Sequence, residues 1–310
     1  MSTTDDAHTP AEGAYIPQYL EGRATAPLLR VMLGLTAAAA AFIGLIAYAG
    51  GLVSAHQLTW FAWTVTSPVT AALLGAGFIG AVPLLLHSIT RTLWEEVRVP
   101  TVAVVTVLTL LFVLTVANLG QSGLHTGNLL HPAFLLGAAW LLGVGGLTLG
   151  MLAALCLQLF EPALPLTRGA AFPRWALPLV ALQGAGLAGL GFGLAIKPDF
   201  WAPQLPWRAS HLDARMLGAW CLALGVALLA ALVEDDLTRV RGGLLGIACI
   251  GVLALLGLAV RHGAVDWSGW AAWCAVVLVL GMTATGIIGS MLASRAEAAA
   301  AAVTPGVIGA

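Results

Sequence analysis

Eight apolar stretches of roughly membrane-crossing length run along almost the whole chain, at about 26–53, 66–88, 101–118, 133–159, 175–196, 214–233, 243–260 and 268–293. A hydrocarbon core of about 30 Å takes about 20 apolar residues per helix. The stretches are continuous, without the in/out alternation of a barrel strand, and lipid demands that backbone polar groups be satisfied within each segment. The expected fold class is therefore all-α: a polytopic membrane helical bundle of about eight transmembrane helices. Composition excludes an ordinary soluble domain. Hydrophobic residues make up 60% of the chain and charged residues 9%, against about 25% charged in soluble domains.

The net charge is −1 and no basic face is present, so nucleic acid is not an expected partner. The lipid bilayer is. Cys156, Cys221, Cys249 and Cys274 all lie inside apolar stretches without CxxC spacing, and read as small buried hydrophobes. Residues 1–24 carry Asp5, Asp6, Glu12 and Glu21 rather than the basic start of a cleavable signal. They read as a disordered cytoplasmic tail, and 295–310 as a flexible C-terminal tail beginning in a frayed helix end.

Charge asymmetry sets the expected orientation. With the N-terminus in the cytoplasm, Arg23, Arg30, Arg91, Arg98, Arg168, Arg174, Arg239, Arg241 and Arg295 fall inside, and Lys197, Arg208, Arg215 and Arg261 outside. Nine against four places both termini in the cytoplasm of a plasma-membrane protein. Trp60, Trp63, Trp94, Trp175, Trp201, Trp207, Trp267 and Trp270 fall near segment ends, and most read as interfacial belt anchors.

The second half reads as a diverged copy of the first. A shift of 143 positions lays Thr70-Ala71-Ala72-Leu73-Leu74-Gly75-Ala76 on Asp213-Ala214-Arg215-Met216-Leu217-Gly218-Ala219, Leu85-Leu86 on Leu228-Leu229, and Val97-Arg98 on Val240-Arg241. Four crossings per copy start both copies on the same side, which gives two parallel four-helix repeats, 25–160 and 161–294. Small residues recur at every fourth position in the fifth helix (Ala181, Ala185, Gly189, Gly193), with Gly146 and Gly150 in the fourth and Gly281, Thr285 and Gly289 in the eighth. Such stripes let backbones approach and could serve a protein partner or a homo-oligomer. Pro83 and Pro178 are expected to kink their helices.

Phe61-Ala62-Trp63-Thr64 followed by Pro68-x-Thr70-Ala71-Ala72-x-Leu74-Gly75-Ala76-Gly77, with Leu212-Asp213-Ala214-Arg215-x-x-Gly218-Ala219-Trp220 in the second half, resembles uncharacterised multipass membrane proteins of actinobacteria. Where that family shows Leu-Thr-Ala-Arg, this chain has Asp213. The resemblance covers most of both halves. It implies location and topology, with no established activity.

Ionisable groups beside membrane helices are expensive and therefore informative. On the expected topology they gather outside: His56; His125 and His131; Lys197, Asp199, Arg208, His211, Asp213 and Arg215; Arg261, His262 and Asp266. The candidate outer-face polar site is His125, Arg208, His211, Asp213, Arg215 and Asp266. Asp213 and Arg215 open the sixth helix. They read either as a helix cap with a snorkelling arginine, or as an anion or substrate contact at the bundle mouth. Partners considered for Arg215 are Asp213, Asp266 or a lipid phosphate. His125 and His131 lack the i, i+4 spacing of a helical metal pair, so no metal and no cofactor is expected. His87 is expected to bond a carbonyl freed near Pro83. Glu234-Asp235-Asp236 reads as a solvated loop with local ion pairs.

GxSxG, HExxH and GxxxxGK[ST] are absent, and no Asp, Glu or Arg falls at a helix midplane. The leading expectation is a non-enzymatic membrane component that binds a partner, senses or scaffolds. The alternatives are a small-molecule or lipid permease-like protein with a charged outward mouth, and an outer-face membrane enzyme.

Overall fold

The computed structural model describes residues 20–54, 61–126, 130–166 and 169–303. Among them, eight helices are long and apolar enough to cross a membrane. These are α1 (Pro27–Val53), α2 (Pro68–Ile89), α3 (Trp94–Ala117), α4 (Pro132–Gln158), α5 (Ala176–Ile196), α7 (His211–Glu234), α8 (Arg241–Val260) and α9 (Trp270–Val303); a single-turn α6 (Pro198–Trp201) precedes α7. The chain is an all-α bundle of the multipass membrane kind. Below, the N-terminal side is where α1 begins and the far side is where it ends.

Proline opens α1, α2, α4 and α6. Its missing N–H falls among donors that have no intrahelical acceptor anyway. Pro178 likewise sits in the first turn of α5, so it removes no helical bond and gives no reason for a kink, whereas Pro83 is interior to α2.

Polar residues shift three expected boundaries. α3 starts at Trp94, ahead of the apolar stretch, because Glu95 and Glu96 stand in its first turn, where a carboxylate meets the positive end of the helix. α9 continues to Val303, so the expected flexible tail is helical well past Arg295. Alanine is the best helix former, and Glu297 is paired with Arg241 of α8. At the other terminus Leu20–Arg23, expected within the disordered tail, forms a strand (β1) antiparallel to Ala163–Leu166 (β2). Side chains at helix ends pin it. Glu95 accepts from the Arg23 backbone N–H at 3.1 and 3.2 Å, and Arg23 Nη1 donates to Leu159 O at 2.7 Å. Gln158 accepts from Ala26 N at 2.8 Å and donates to Ala24 O at 2.6 Å.

The packing follows the 143-residue shift. It carries the end of α1 (Val53) to the end of α5 (Ile196), the start of α2 (Pro68) to the start of α7 (His211), and the end of α3 (Ala117) to the end of α8 (Val260). α1 pairs with α2 as α5 pairs with α7, and the contact points correspond. A Cβ on Gly75 would stand 2.4 Å from Tyr48 N, and one on Gly218 2.8 Å from Gly191 O; the same shift relates Gly75 to Gly218 and Tyr48 to Gly191. The third helices then cross over. α3 leans on α7, and α8 leans on α2. This places α2 at the centre, with the largest buried share of any span, 72%.

The fourth helices break the correspondence. α4 packs against both α1 and α3, whereas α9 packs on α8 and scarcely touches α5. The small-residue stripe expected to let a backbone approach α5 faces elsewhere: space is open over Gly189, and Gly193 lies against the Trp201 indole. The close approach to α7 uses Gly184, Ala188, Gly191 and Ala195 instead, against Gly218 and Gly225. Sequence spacing of four does not separate these two faces, because glycine and alanine populate both.

Candidate functional site

On the far side, the segments entering α2 and α7 each send a tryptophan across to the other half. Trp63 Nε1 donates to Asp213 Oδ1 at 3.1 Å, and Trp207 Nε1 donates to Thr70 Oγ1 at 3.0 Å. Both indoles are buried. These two tryptophans, expected as belt anchors, are therefore internal struts; Trp175 and Trp270 are exposed and suit the interface. Trp63 also continues inward as an aromatic chain. Its ring lies 5.5 Å from Trp140, which lies 6.1 Å from Phe78, which lies 4.9 Å from Trp220.

Asp213 is wholly buried. It forms a capping box with Ser210 at the start of α7. Its Oδ2 also accepts from the Thr66 backbone N–H at 3.0 Å and from the Thr66 hydroxyl. Both oxygens are thus engaged, which is the requirement for a polar group out of water. Of the two sequence readings of Asp213, the cap is realised, enlarged into a clasp between halves. A carboxylate so shielded and bonded is unavailable as an acid, base or ligand.

Arg215 does not join it. Its Nη1 bonds Asn118 Oδ1, at the end of α3, a partner none of the expected ones supplied. His211 is exposed and its Nδ1 meets Asp199 at 3.1 Å. The side chain of His125 lies outside the described residues, as does all of His56. Three of the six candidate residues do converge. Arg208, His211 and Asp266 line one far-side groove of about 520 Å³. Asp266 is placed there by its backbone N–H, which donates to Pro206 O at 2.6 Å. Its Oδ1 accepts from Ser268 N at 3.0 Å and Ser268 Oγ at 2.6 Å, and these bonds hold its carboxyl below the usual carboxylate range.

Leu205, Pro206 and Trp207 form a wall shared by this groove and a second cavity of about 230 Å³ beneath it. The lower cavity is walled by α2, α5, α7, α8 and α9, and its lining is almost wholly apolar. It follows α9 from Trp270 to Met282, about 18 Å of helix at 1.5 Å per residue. Leu278 separates it from a further apolar cavity of about 520 Å³ between α5 and α9 toward the N-terminal side. Both exist because α9 stands off from α5. No sequence signal marks them beyond the surplus of small residues on α5 and α9.

The N-terminal side holds a polar centre in which the expected local ion pairs form, but out of solvent. Glu234-Asp235-Asp236 is not a solvated loop. Glu234 and Asp236 are buried. Glu234 pairs with Arg98 of α3 and, at 2.8 Å, with Arg239; Arg239 Nε meets Asp236 at 3.0 Å. Asp236 also accepts from Gly169 N at 2.7 Å, and Asp235, left-handed at φ 44°, accepts from Phe172 N at 3.1 Å. The cluster ties α3, α7 and the segment before α5 together. His87 accepts from Arg91 Nε at 3.2 Å, rather than bonding a carbonyl near Pro83. Among the described residues, no three His, Cys, Asp or Glu side chains converge on a metal site.

Comparison of the chain with protein-family models, with curated proteins and with solved structures finds no match in any of the three.

Proposed function

We propose that this is a non-catalytic, internally duplicated plasma-membrane protein that holds one amphiphilic, lipid-like molecule, its apolar part below and its polar part in the far-side groove. The observation that carries the reading is that Leu205, Pro206 and Trp207 line both a charged groove and an apolar cavity, so the two spaces lie against each other across these residues. Ligand pockets are concave, mostly apolar and equipped with a few placed polar groups, and this pair of spaces has that form. The corresponding helix positions and the Gly75–Tyr48 and Gly218–Gly191 contacts support the duplication. The arginine asymmetry supports cytoplasmic termini, which puts the groove outside. His125→Cys, labelled by an impermeant maleimide from outside the cell only, is expected; labelling only from the cytoplasm overturns the orientation.

The test of function is native mass spectrometry of the full chain purified in mild detergent. One lipid-mass adduct per chain is expected, and Ala275→Trp, which fills the cavity from α9, abolishes it. An adduct unaffected by that substitution overturns the reading. The partner-binding or scaffold reading keeps one observation in its favour: Gly143 and Gly146 of α4 have nothing over them, beside exposed Leu142 and Leu149, the form of a small-residue helix contact. Cross-linking of Gly143→Cys between copies tests it, and absence of any dimer counts against it. The outer-face enzyme reading, for which His125, His211, Asp213 and Asp266 are the candidates, loses one of them, since Asp213 is fully engaged.

A further inference from the structure

We propose that the amphiphile is zwitterionic, with its phosphate met by Arg208 and a protonated amine beyond the phosphate met by Asp266. This rests on the amphiphile reading above and adds the headgroup class to it.

Two opposite charges line the groove and have no ion-pair partner among the described residues. Asp266 is tied to Pro206 through its backbone, two residues from Arg208, and both side chains line the groove. The Asp266 carboxylate spends Oδ1 on Ser268 and, among the described residues, Oδ2 has no partner. The exposed Arg208 guanidinium has neither a hydrogen bond nor an ion pair among the described residues. His211, the third ionisable group of the groove, is engaged with Asp199. What the groove offers, among the described residues, is therefore one cationic fork and one carboxylate oxygen without a partner, both on its lining. A planar guanidinium suits a phosphate, and a carboxylate oxygen with an open lone pair suits an ammonium N–H. An anionic headgroup would satisfy Arg208 and be repelled by Asp266. A zwitterion satisfies both.

Below the charges the chemistry changes abruptly. Trp207 stands at the boundary with its N–H turned to Thr70, and the cavity wall from Leu205 down to Met282 is apolar. A glycerophospholipid with an ethanolamine-type headgroup matches this order: amine and phosphate at the groove, hydrocarbon beneath.

The experiment is native mass spectrometry of the full-length protein from mixed micelles holding equal amounts of phosphatidylethanolamine and phosphatidylglycerol with identical chains. The ethanolamine lipid is expected to be bound about fivefold over the glycerol lipid, the scale of a partly exposed ion pair. Asp266→Asn brings its binding down to that of the glycerol lipid and leaves the latter unchanged or raised. Arg208→Gln lowers both. Equal binding of the two lipids by the unaltered protein, or a ratio untouched by Asp266→Asn, overturns the headgroup assignment. If Ala275→Trp still removes both adducts in that case, the amphiphile reading stands without it. Absence of any adduct from the unaltered protein overturns both.

Discussion

Asp213→Ala is expected to be the most damaging single truncation on the far side, and its magnitude follows from the bonds it breaks. The capping box at the start of α7 is lost, which costs about 1 kcal/mol. The Trp63 indole N–H, buried against Trp140 and Phe61, is left without an acceptor, at about 1–3 kcal/mol for an unsatisfied buried donor. Thr66 is exposed, so water recovers much of its share. The sum is about 3 kcal/mol. Thr70→Val makes the reciprocal cut, taking the acceptor from Trp207 but no cap, and costs about 1–2 kcal/mol. The assay is SDS-driven unfolding in mixed micelles, followed by tryptophan fluorescence. Trp63→Phe in both backgrounds closes a double-mutant cycle, with a coupling of about 1 kcal/mol or more between residues 63 and 213. An Asp213→Ala penalty no larger than that of Thr70→Val, or a coupling near zero, refutes the idea that this carboxylate clasps the two halves.

Other outcomes follow from the same geometry. Glu234→Ala takes the carboxylate from the half-exposed Arg98 and one of the two carboxylates from the buried Arg239, which keeps Asp236, and is expected to destabilise by about 2 kcal/mol in the same titration; a loss below about 0.5 kcal/mol refutes the buried ion network. Gly75→Ala and Gly218→Ala push a methyl against backbone at 2.4 and 2.8 Å and are each expected to lower the SDS midpoint. Gly146→Ala, over open space on α4, is expected to raise it, by up to about 1 kcal/mol from helix propensity; the reverse order refutes the assigned interfaces. Cys274 lines the lower cavity and Cys156 does not, so alkylating Cys274 with an apolar maleimide is expected to block the lipid adduct and alkylating Cys156 is not. The Asp266 carboxyl is depressed below its usual range by Ser268, so its contribution is complete above the ordinary carboxylate pKa and is lost as pH falls through the lower, folded value. The preference for an amine headgroup is accordingly expected to persist at pH 5 and to fade only below about pH 4.

The spans were legible because continuous apolar runs leave little alternative in lipid. What the runs hid was everything decided by polar side chains. The start of α3 at Trp94 was invisible to an apolar count because Glu95 and Glu96 serve the helix as its first turn. The strand at Leu20–Arg23 exists through bonds from Glu95, Leu159 and Gln158, none of them near it in sequence. Tryptophans near helix ends look alike in sequence, yet Trp63 and Trp207 turn inward because an acceptor waits at the third position of the opposing helix. Of the candidate site, the convergence of Arg208, His211 and Asp266 was foreshadowed by their shared side of the membrane. That Asp213 would be spent as a clasp, and Arg215 drawn to Asn118, depended on which helix packs beside which. The local pairs of Glu234 and Asp236 with Arg239 were legible, but the share of Arg98 was missed for the same reason: Arg98 and Glu234 are separated by 136 positions.

The crossed packing has a consequence for how the chain is made. Trp63 and its acceptor Asp213 are 150 residues apart, and α3 has its main neighbour in α7. At about 5–20 residues per second, synthesis leaves roughly 8–30 s between the two. Throughout that interval the early helices sit in the bilayer with an indole N–H and the docking face of α3 uncovered. α1 and α2 can settle as a pair at once, but the first half is not a finished unit until the second has arrived. Maturation should therefore be gated by the emergence of α7, and a ribosome stalled before residue 213 would hold a membrane-inserted, unfinished protein.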